Sequence, residues 1–271
     1  MLTAAQISRF QADGYLKGGR VLTDEQVGVL QEEIERVIRD AGTGGPQPVL
    51  CRNLSGDPDR PVWQIVNIWE ASEPFRALIF TQSIAEEVAQ LTGADTLRIW
   101  HDQIQFKPAE IGGVNMWHQD APLWPILTPM TEVSAWVALD DVDEANGCMS
   151  MVRGSHLWGN QMDFLRTLTT FNALPWEVDG HTIDVRTCPV PKGAVHYHHA
   201  LTWHASPANT SGRPRRAIAI HYMTGDTRYR ASGDHVMKQF VDVADGEIMR
   251  GKHFPVVWEK TGAARVSAAT G

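Results

Sequence analysis

The sequence predicts a mainly β protein with flanking helices, its core an antiparallel barrel or a double-sheet jelly roll. Two observations carry that expectation. Helical periodicity is confined to about the first 93 residues. From Thr96 to Thr224 the chain then breaks into short β-rich segments, often alternating apolar and polar side chains and separated by Gly, Pro and Asn turns. No Gly-rich phosphate loop and no internal repeat appears.

Taken in order, Thr3 and Gln6 fit a capping box ahead of Ile7 and Phe10, which share a helix face. Thr23 and Gln26 repeat the signal, and Val27, Leu30, Ile34, Val37 and Ile38 continue with a helical period. "AGTGGPQP" (41–48) reads as a loop. Between Ser72 and Gly93, the residues Phe75, Leu78, Ile79, Ile84, Val88 and Leu91 suggest two short helices or one broken one, closed by Gly93. Strands are expected over 96–106, 133–141, 148–152, 182–190, 194–204 and 216–224. The segment from Gly159 to His181 breaks this rhythm and reads as an insertion near one end of the barrel. No linker divides the chain, so a single domain is expected: helical flank 1–93, jelly-roll core 94–225, C-terminal extension 226–271.

With 271 residues the chain can bury a large core. A net charge of −8 argues against nucleic-acid binding, which calls for a basic patch or stripe. There is no run of about 18 apolar residues to span a membrane. The N-terminus shows no basic and apolar signal-peptide pattern. Cys51, Cys148 and Cys188 are scattered without CxxC spacing, which suggests reduced thiols in a cytoplasmic protein. Oligomeric state is not legible.

"WHQDAPLWP" (117–125) places a histidine and an aspartate two positions apart in an apolar setting. On a strand, side chains at i and i+2 share a face, so His118 and Asp120 would project together and Gln119 away from them. An imidazole and a carboxylate suit a divalent metal such as iron(II) once a third ligand joins them. "HYHHALTWHASPANTSGRPRR" (196–216) supplies the candidates. His196 and His198 form a second same-face pair that could hold a separate metal, and they are more simply read as ordinary barrel-facing or hydrogen-bonded residues. His204 is expected to end a strand before the "ASPANTS" turn. Arg213, Arg215 and Arg216 follow at the start of the next strand, where an arginine can clamp a carboxylate through two parallel hydrogen bonds.

"KPAEIGGVNMWHQDAPLWP", "VSAWVALDDVDEANGCMSMVRGSH" and "HHALTWHASPANTSGRPRRAIAIHYM" together resemble the phytanoyl-CoA dioxygenase family, in register from about Ile99 to Met223. The resemblance implies a double-stranded β-helix and an iron(II)- and 2-oxoglutarate-dependent oxygenase that uses O2. It implies His118, Asp120 and His204 as iron ligands, Arg215 as the partner of the distal carboxylate of 2-oxoglutarate, and Ser206 as a supporting hydroxyl. Gln105 falls where a relative, ectoine hydroxylase, has an amide near the cosubstrate, and Trp124 where it has a pocket tryptophan. Trp117, beside the ligand pair, is taken with Trp124 as a substrate-pocket residue. Two departures from the family pattern, Arg153 in the Arg153-Gly154-Ser155-His156 turn and Ala205 after the distal histidine, touch no ligand. Aspartate at 120 disfavours halogenation, which in the family goes with a small residue there.

The implied reaction is hydroxylation of an unactivated C–H bond of a small-molecule substrate, with release of succinate and carbon dioxide. Two other readings of the same residues are a zinc-dependent hydrolase and a non-catalytic barrel that binds a small ligand. The hydrolase leaves Arg215 without a role, and the barrel would more naturally lack a ligand. Trp63, Trp69, Trp158 and Trp176 are further pocket candidates, each read first as core or loop packing.

Overall fold

The alternation along the strands sorts side chains into a helix-covered layer and an inner layer between two sheets. The structure is a computed structural model, and it describes residues 1–54, 56, 58–59 and 61–260. Both N-terminal capping boxes form, at Thr3 ahead of α1 (Ala4–Asp13) and at Thr23 ahead of α2 (Asp24–Arg39). The Ser72–Gly93 segment is two helices, α3 (Glu73–Ile79) and α4 (Gln82–Thr92), the second closed by Gly93 at φ 69°.

The major sheet contains β1 (Tyr15–Arg20), β2 (Leu50–Asn53), β3 (Trp63–Val66), β4 (Thr96–Lys107), β7 (Val133–Ala138), β12 (Ala194–His199), β14 (Arg215–Thr224) and β16 (Val256–Glu259). Its order is β1-β12-β7-β14-β4-β3-β2, with β16 also on β4. The minor sheet runs β11-β8-β13-β5 and is built from β5 (Asn115–His118), β8 (Met149–Val152), β11 (Val185–Cys188) and β13 (His204–Ser206). Two short ribbons pair β6 (Leu127–Thr128) with β15 (Arg228–Tyr229), and β9 (Glu177–Val178) with β10 (His181–Thr182). All these pairings are antiparallel and neither large sheet closes on itself, which is the open double-sheet form of a jelly roll.

On β14, Ile218, Ile220 and Tyr222 pack with Leu30, Ile34 and Val88 beneath the helices. Ala217 and Ala219 face the other way, towards Met149, Met151 and Cys188 of the minor sheet. Alanines on that inner face keep the two sheets from filling the space between them, and the cavity described below occupies it. On β4 a bulge at Trp100 shifts the parity: His221 pairs with His101, but Tyr222 pairs with Ile99. Leu97 and Ile99 therefore face the helices, whereas beyond the bulge Ile104 does. His101, Gln103 and Gln105 turn into the cavity as a result.

Three features differ from the sequence expectation. The helical flank also supplies β1, β2 and β3, and the C-terminal extension supplies β16; residues 261–271 of that extension lie outside the described residues. These strands are short and weakly alternating, and pairing with longer neighbours forms them. The single strand expected over 194–204 is broken at His199, where Leu201 N–H donates to the His199 ring and Thr202 N–H to its carbonyl. His204 consequently opens a strand of the other sheet instead of ending one. The 159–181 segment folds as the short α5 (Met162–Leu165), a single 3-10 turn at Phe171–Ala173, and β9 with the start of β10. Its Met162, Leu165 and Phe171 pack on Trp117 and Trp203, on the outer side of the minor sheet. Among the described residues no helix is long and apolar enough to cross a membrane, and Cys51, Cys148 and Cys188 are unpaired.

Candidate metal and cosubstrate site

A cavity of about 250 Å³ opens between the two sheets, and His118, Asp120 and His204 converge on it. His118 ends β5 and His204 begins β13, as direct register partners across the ladder. Their ring centroids lie 4.1 Å apart. Asp120 reaches them by a different route from the same-face strand geometry expected: the strand stops at His118, and Asp120 starts a helical turn with φ −72° and ψ −53°. Its Oδ1 lies 3.7 Å from His118 Nε2 and 3.6 Å from His204 Nε2. One donor atom from each of the three falls within 4.8 Å of the others.

Backbone contacts fix which imidazole nitrogen faces the cluster. His118 Nδ1–H donates to Met116 O at 2.7 Å and His204 Nδ1–H to Thr202 O at 2.9 Å. Each Nε2 is left as a free lone pair, the form a metal requires. Burial and the neighbouring His204 push His118 down to about 4, and burial likewise lowers His204, so both stay neutral. Burial alone would raise the Asp120 carboxyl, but His204, His198 and His221 around it hold it well below the usual carboxylate range. One anionic oxygen and two neutral imidazoles on one side of a cavity fit an iron(II) facial triad with open positions.

The second oxygen of Asp120 is held by residues that sequence reading did not single out as functional. His198 Nε2–H and Ser134 Oγ–H both donate to Oδ2 at 3.2 Å, and His221 Nδ1–H donates to Ser134 Oγ at 2.7 Å. These bonds turn Oδ1 towards the imidazoles. A signal was available: in "AIAIHYM" a histidine sits on the small-residue face of the strand, opposite Ile218, Ile220 and Tyr222.

A smaller pocket of about 30 Å³ adjoins the cavity and is cationic, lined by Arg215 and Lys107. Arg215 is wholly buried, with its guanidinium 5.5 Å from the Trp136 ring. It donates to Gly147 O at 3.0 Å and to Gln105 Oε1 at 3.4 Å, while its Nε has no partner. Among the described residues no carboxylate pairs with it, whereas Arg213 and Arg216 bond outward to Asp143 and Asp140. Gln64, Gln103, Gln105 and Asn115 line both this small pocket and the main cavity. Ser206 and Trp136 also line the cavity. Trp136 was legible only as a core strand residue.

Trp124 lines the main cavity with Leu123, Met116, His101 and His221, its ring 4.7 Å from that of His221. Trp117 does not line the cavity. It occupies the opposite face of β5 from His118, packs on Trp203 and Phe171, and donates Nε1–H to Phe171 O at 2.7 Å. Adjacent residues of a strand point to opposite faces, so a ligand at 118 excludes 117 from the same wall. Gln119 likewise faces away and ties Gly159 to Leu201. His196 points inward as expected but stacks on Tyr15 without joining the metal cluster. Trp69 is buried core, Trp158 stacks on His181, and Trp176 is 74% exposed; Trp63 lines only the small cationic pocket.

The family model described as phytanoyl-CoA dioxygenase (PhyH) matches residues 10–217. The mouse peroxisomal phytanoyl-CoA dioxygenase (Mus musculus) is 24% identical over 270 residues, covering 90% of this chain and 76% of the mouse protein. A solved non-heme α-ketoglutarate-dependent carbocyclase, SnoK of nogalamycin biosynthesis, superposes with a TM-score of 0.77 at 26% identity, over 95% of this chain and 97% of SnoK. The epimerase SnoN, solved with Fe3+, α-ketoglutarate and a nogalamycin compound, shares the fold at 23% identity and a TM-score of 0.72, over 94% of this chain and 98% of SnoN. With its two-histidine, one-aspartate cluster in a cavity that adjoins an arginine-lined pocket, the chain belongs to the phytanoyl-CoA dioxygenase family of iron- and 2-oxoglutarate-dependent oxygenases.

Proposed function

We propose that this oxygenase hydroxylates an unactivated C–H bond of a small molecule, with His118, Asp120 and His204 as the iron ligands. One observation carries the reading: the cavity with a neutral-His, anionic-Asp cluster in its wall adjoins, across Gln64, Gln103, Gln105 and Asn115, a small pocket lined by a buried arginine that pairs with no carboxylate among the described residues. An iron(II) ion held by these three residues would supply the oxidising chemistry, in which O2 and 2-oxoglutarate yield succinate and carbon dioxide as the substrate C–H bond is hydroxylated.

The chain's own residues bind, orient and shield. Arg215 anchors the distal carboxylate of 2-oxoglutarate, and the Gln105 amide beside it restrains the guanidinium. Ser206 presents its hydroxyl from the same wall. His198 and Ser134 keep Asp120 turned towards the metal. Trp124, Leu123 and Met116 exclude water from the substrate end, and the cavity's size favours a free small molecule over an acyl-CoA. Three unpaired cysteines support a cytoplasmic setting.

The test is anaerobic titration of the metal-free protein with iron(II) and then 2-oxoglutarate, read by visible absorption. A charge-transfer band that needs both additions, and is absent in His118→Ala, is the expected result. A folded, iron-loaded protein without the band would overturn the reading.

A further inference from the structure

Two basic side chains stand side by side in the small pocket that adjoins the cavity, and among the described residues neither meets a carboxylate. Lys107 and Arg215 are direct register partners on β4 and β14, and they are 1% and 0% exposed. The Lys107 Nζ donates to Ser206 Oγ at 2.7 Å, to Pro207 O at 2.8 Å and to Ser206 O at 3.3 Å. Three acceptors match the three hydrogens of an ammonium group. Burial and the charge of Arg215 push Lys107 down to about 6, so the bare site tolerates its second cation poorly. Adjacent buried cations without an acid are costly until an anion joins them.

We propose that Lys107 is a positioning residue for the distal carboxylate of the cosubstrate, acting through the Ser206 hydroxyl. The proposal rests on the reading of Arg215 and Ser206 as the cosubstrate seat. A serine hydroxyl has one hydrogen, and the ammonium occupies an acceptor site on Oγ. Among the described residues Ser206 Oγ has no protein acceptor for its own hydrogen, and Ser206 lines the cavity. Lys107 thus leaves that O–H free to donate inward, and it adds positive charge beside Arg215. A merely structural lysine would only stitch the end of β4 to the Ser206–Pro207 turn.

Two probes separate these roles in the full-length chain. Glutarate carries the distal carboxylate without the 2-oxo group, so its binding to metal-free protein is followed by calorimetry. 2-Oxoglutarate binding to the anaerobic iron(II) protein is followed by the visible band. Lys107→Met is expected to raise Kd for both by about 30-fold or more while iron(II) affinity stays within threefold. In turnover it should raise KM for 2-oxoglutarate more than it lowers kcat. The loss caused by Ser206→Ala should shrink to under twofold in the Lys107→Met background. Lys107→Gln keeps donors for the turn without the charge, and it should fold and still bind glutarate weakly, which covers a Met variant that fails to fold. Unchanged Kd values in the Gln or Met variant, or fully additive Lys107 and Ser206 effects, would overturn the proposal. If Arg215→Met loses glutarate while the Lys107 variants keep it, only this inference fails. A wild-type chain that binds neither probe removes the cosubstrate reading beneath it.

Discussion

Replacing Arg215 by methionine should leave the cosubstrate-free protein as stable as before or more so, while stripping most of its affinity for 2-oxoglutarate. The side chain is 0% exposed, its Nε is unpartnered and its acceptors are a carbonyl and an amide. Burial pushes its guanidinium down to about 10, a penalty on the charged form of ~3 kcal/mol. Methionine removes that penalty, relieves the repulsion on Lys107 and still packs beneath Trp136. Against this, Gly147 O loses its donor, at about 1–3 kcal/mol. The difference is ~0–2 kcal/mol of stabilisation, or about 0–8 °C in Tm for a chain of this size. Removing one partner of a buried charge pair costs about 2–5 kcal/mol of binding, which is roughly 30- to 4,000-fold in Kd. Scanning calorimetry without cosubstrate and anaerobic titration of the iron(II) protein measure the two halves. A Tm lowered by more than about 5 °C with Kd changed less than threefold would refute the reasoning and make Arg215 a structural residue.

His198→Leu removes one of the two donors to Asp120 Oδ2 and should weaken iron(II) by about 10- to 100-fold in chelator competition. An unchanged affinity would reduce His198 to packing. Glu132 is 1% exposed, neither of its oxygens has a partner, and burial pushes it up to about 8. Between the ordinary carboxylate range and that value the folded state keeps a proton that the unfolded state releases, so stability is lost as pH rises through the window, by at most ~5 kcal/mol. Glu132→Gln should flatten this part of the stability–pH curve between pH 5.5 and 8.5. Parallel curves for the two proteins would mean that Glu132 does not carry the slope.

The candidate metal ligands could be named from sequence because the blocks that carry the family resemblance contain them. A His-x-Asp pair in an apolar stretch, a histidine before a Pro-Asn turn and an arginine eleven residues later are all marks in the linear chain. The helices were legible too, since Thr3 and Thr23 announce their starts and the period behind each sustains them. The sequence by itself thus determined a mainly β core and the helical layer from its periodicity, and its resemblance to a known family chose the double-sheet form and the candidate ligand set. What it did not determine depends on pairing across the sheets. The bulge at Trp100, which turns His101, Gln103 and Gln105 inward, exists only in the register between β4 and β14. The break after His199 moves His204 to the other sheet, and it joins a local turn to bonds from His199 N–H and Ala200 N–H to Gly14 O and Glu132 O, distant in the chain. Trp117 and His118 differ by one position and face opposite ways, so neighbourhood in sequence misplaced the tryptophan. Lys107, Ser134 and His198 acquire their roles through bonds that span 99, 14 and 78 residues. Tertiary structure alone decided these, because a hydrogen bond is set by where two atoms end up, and residue type constrains only what each atom can offer once there.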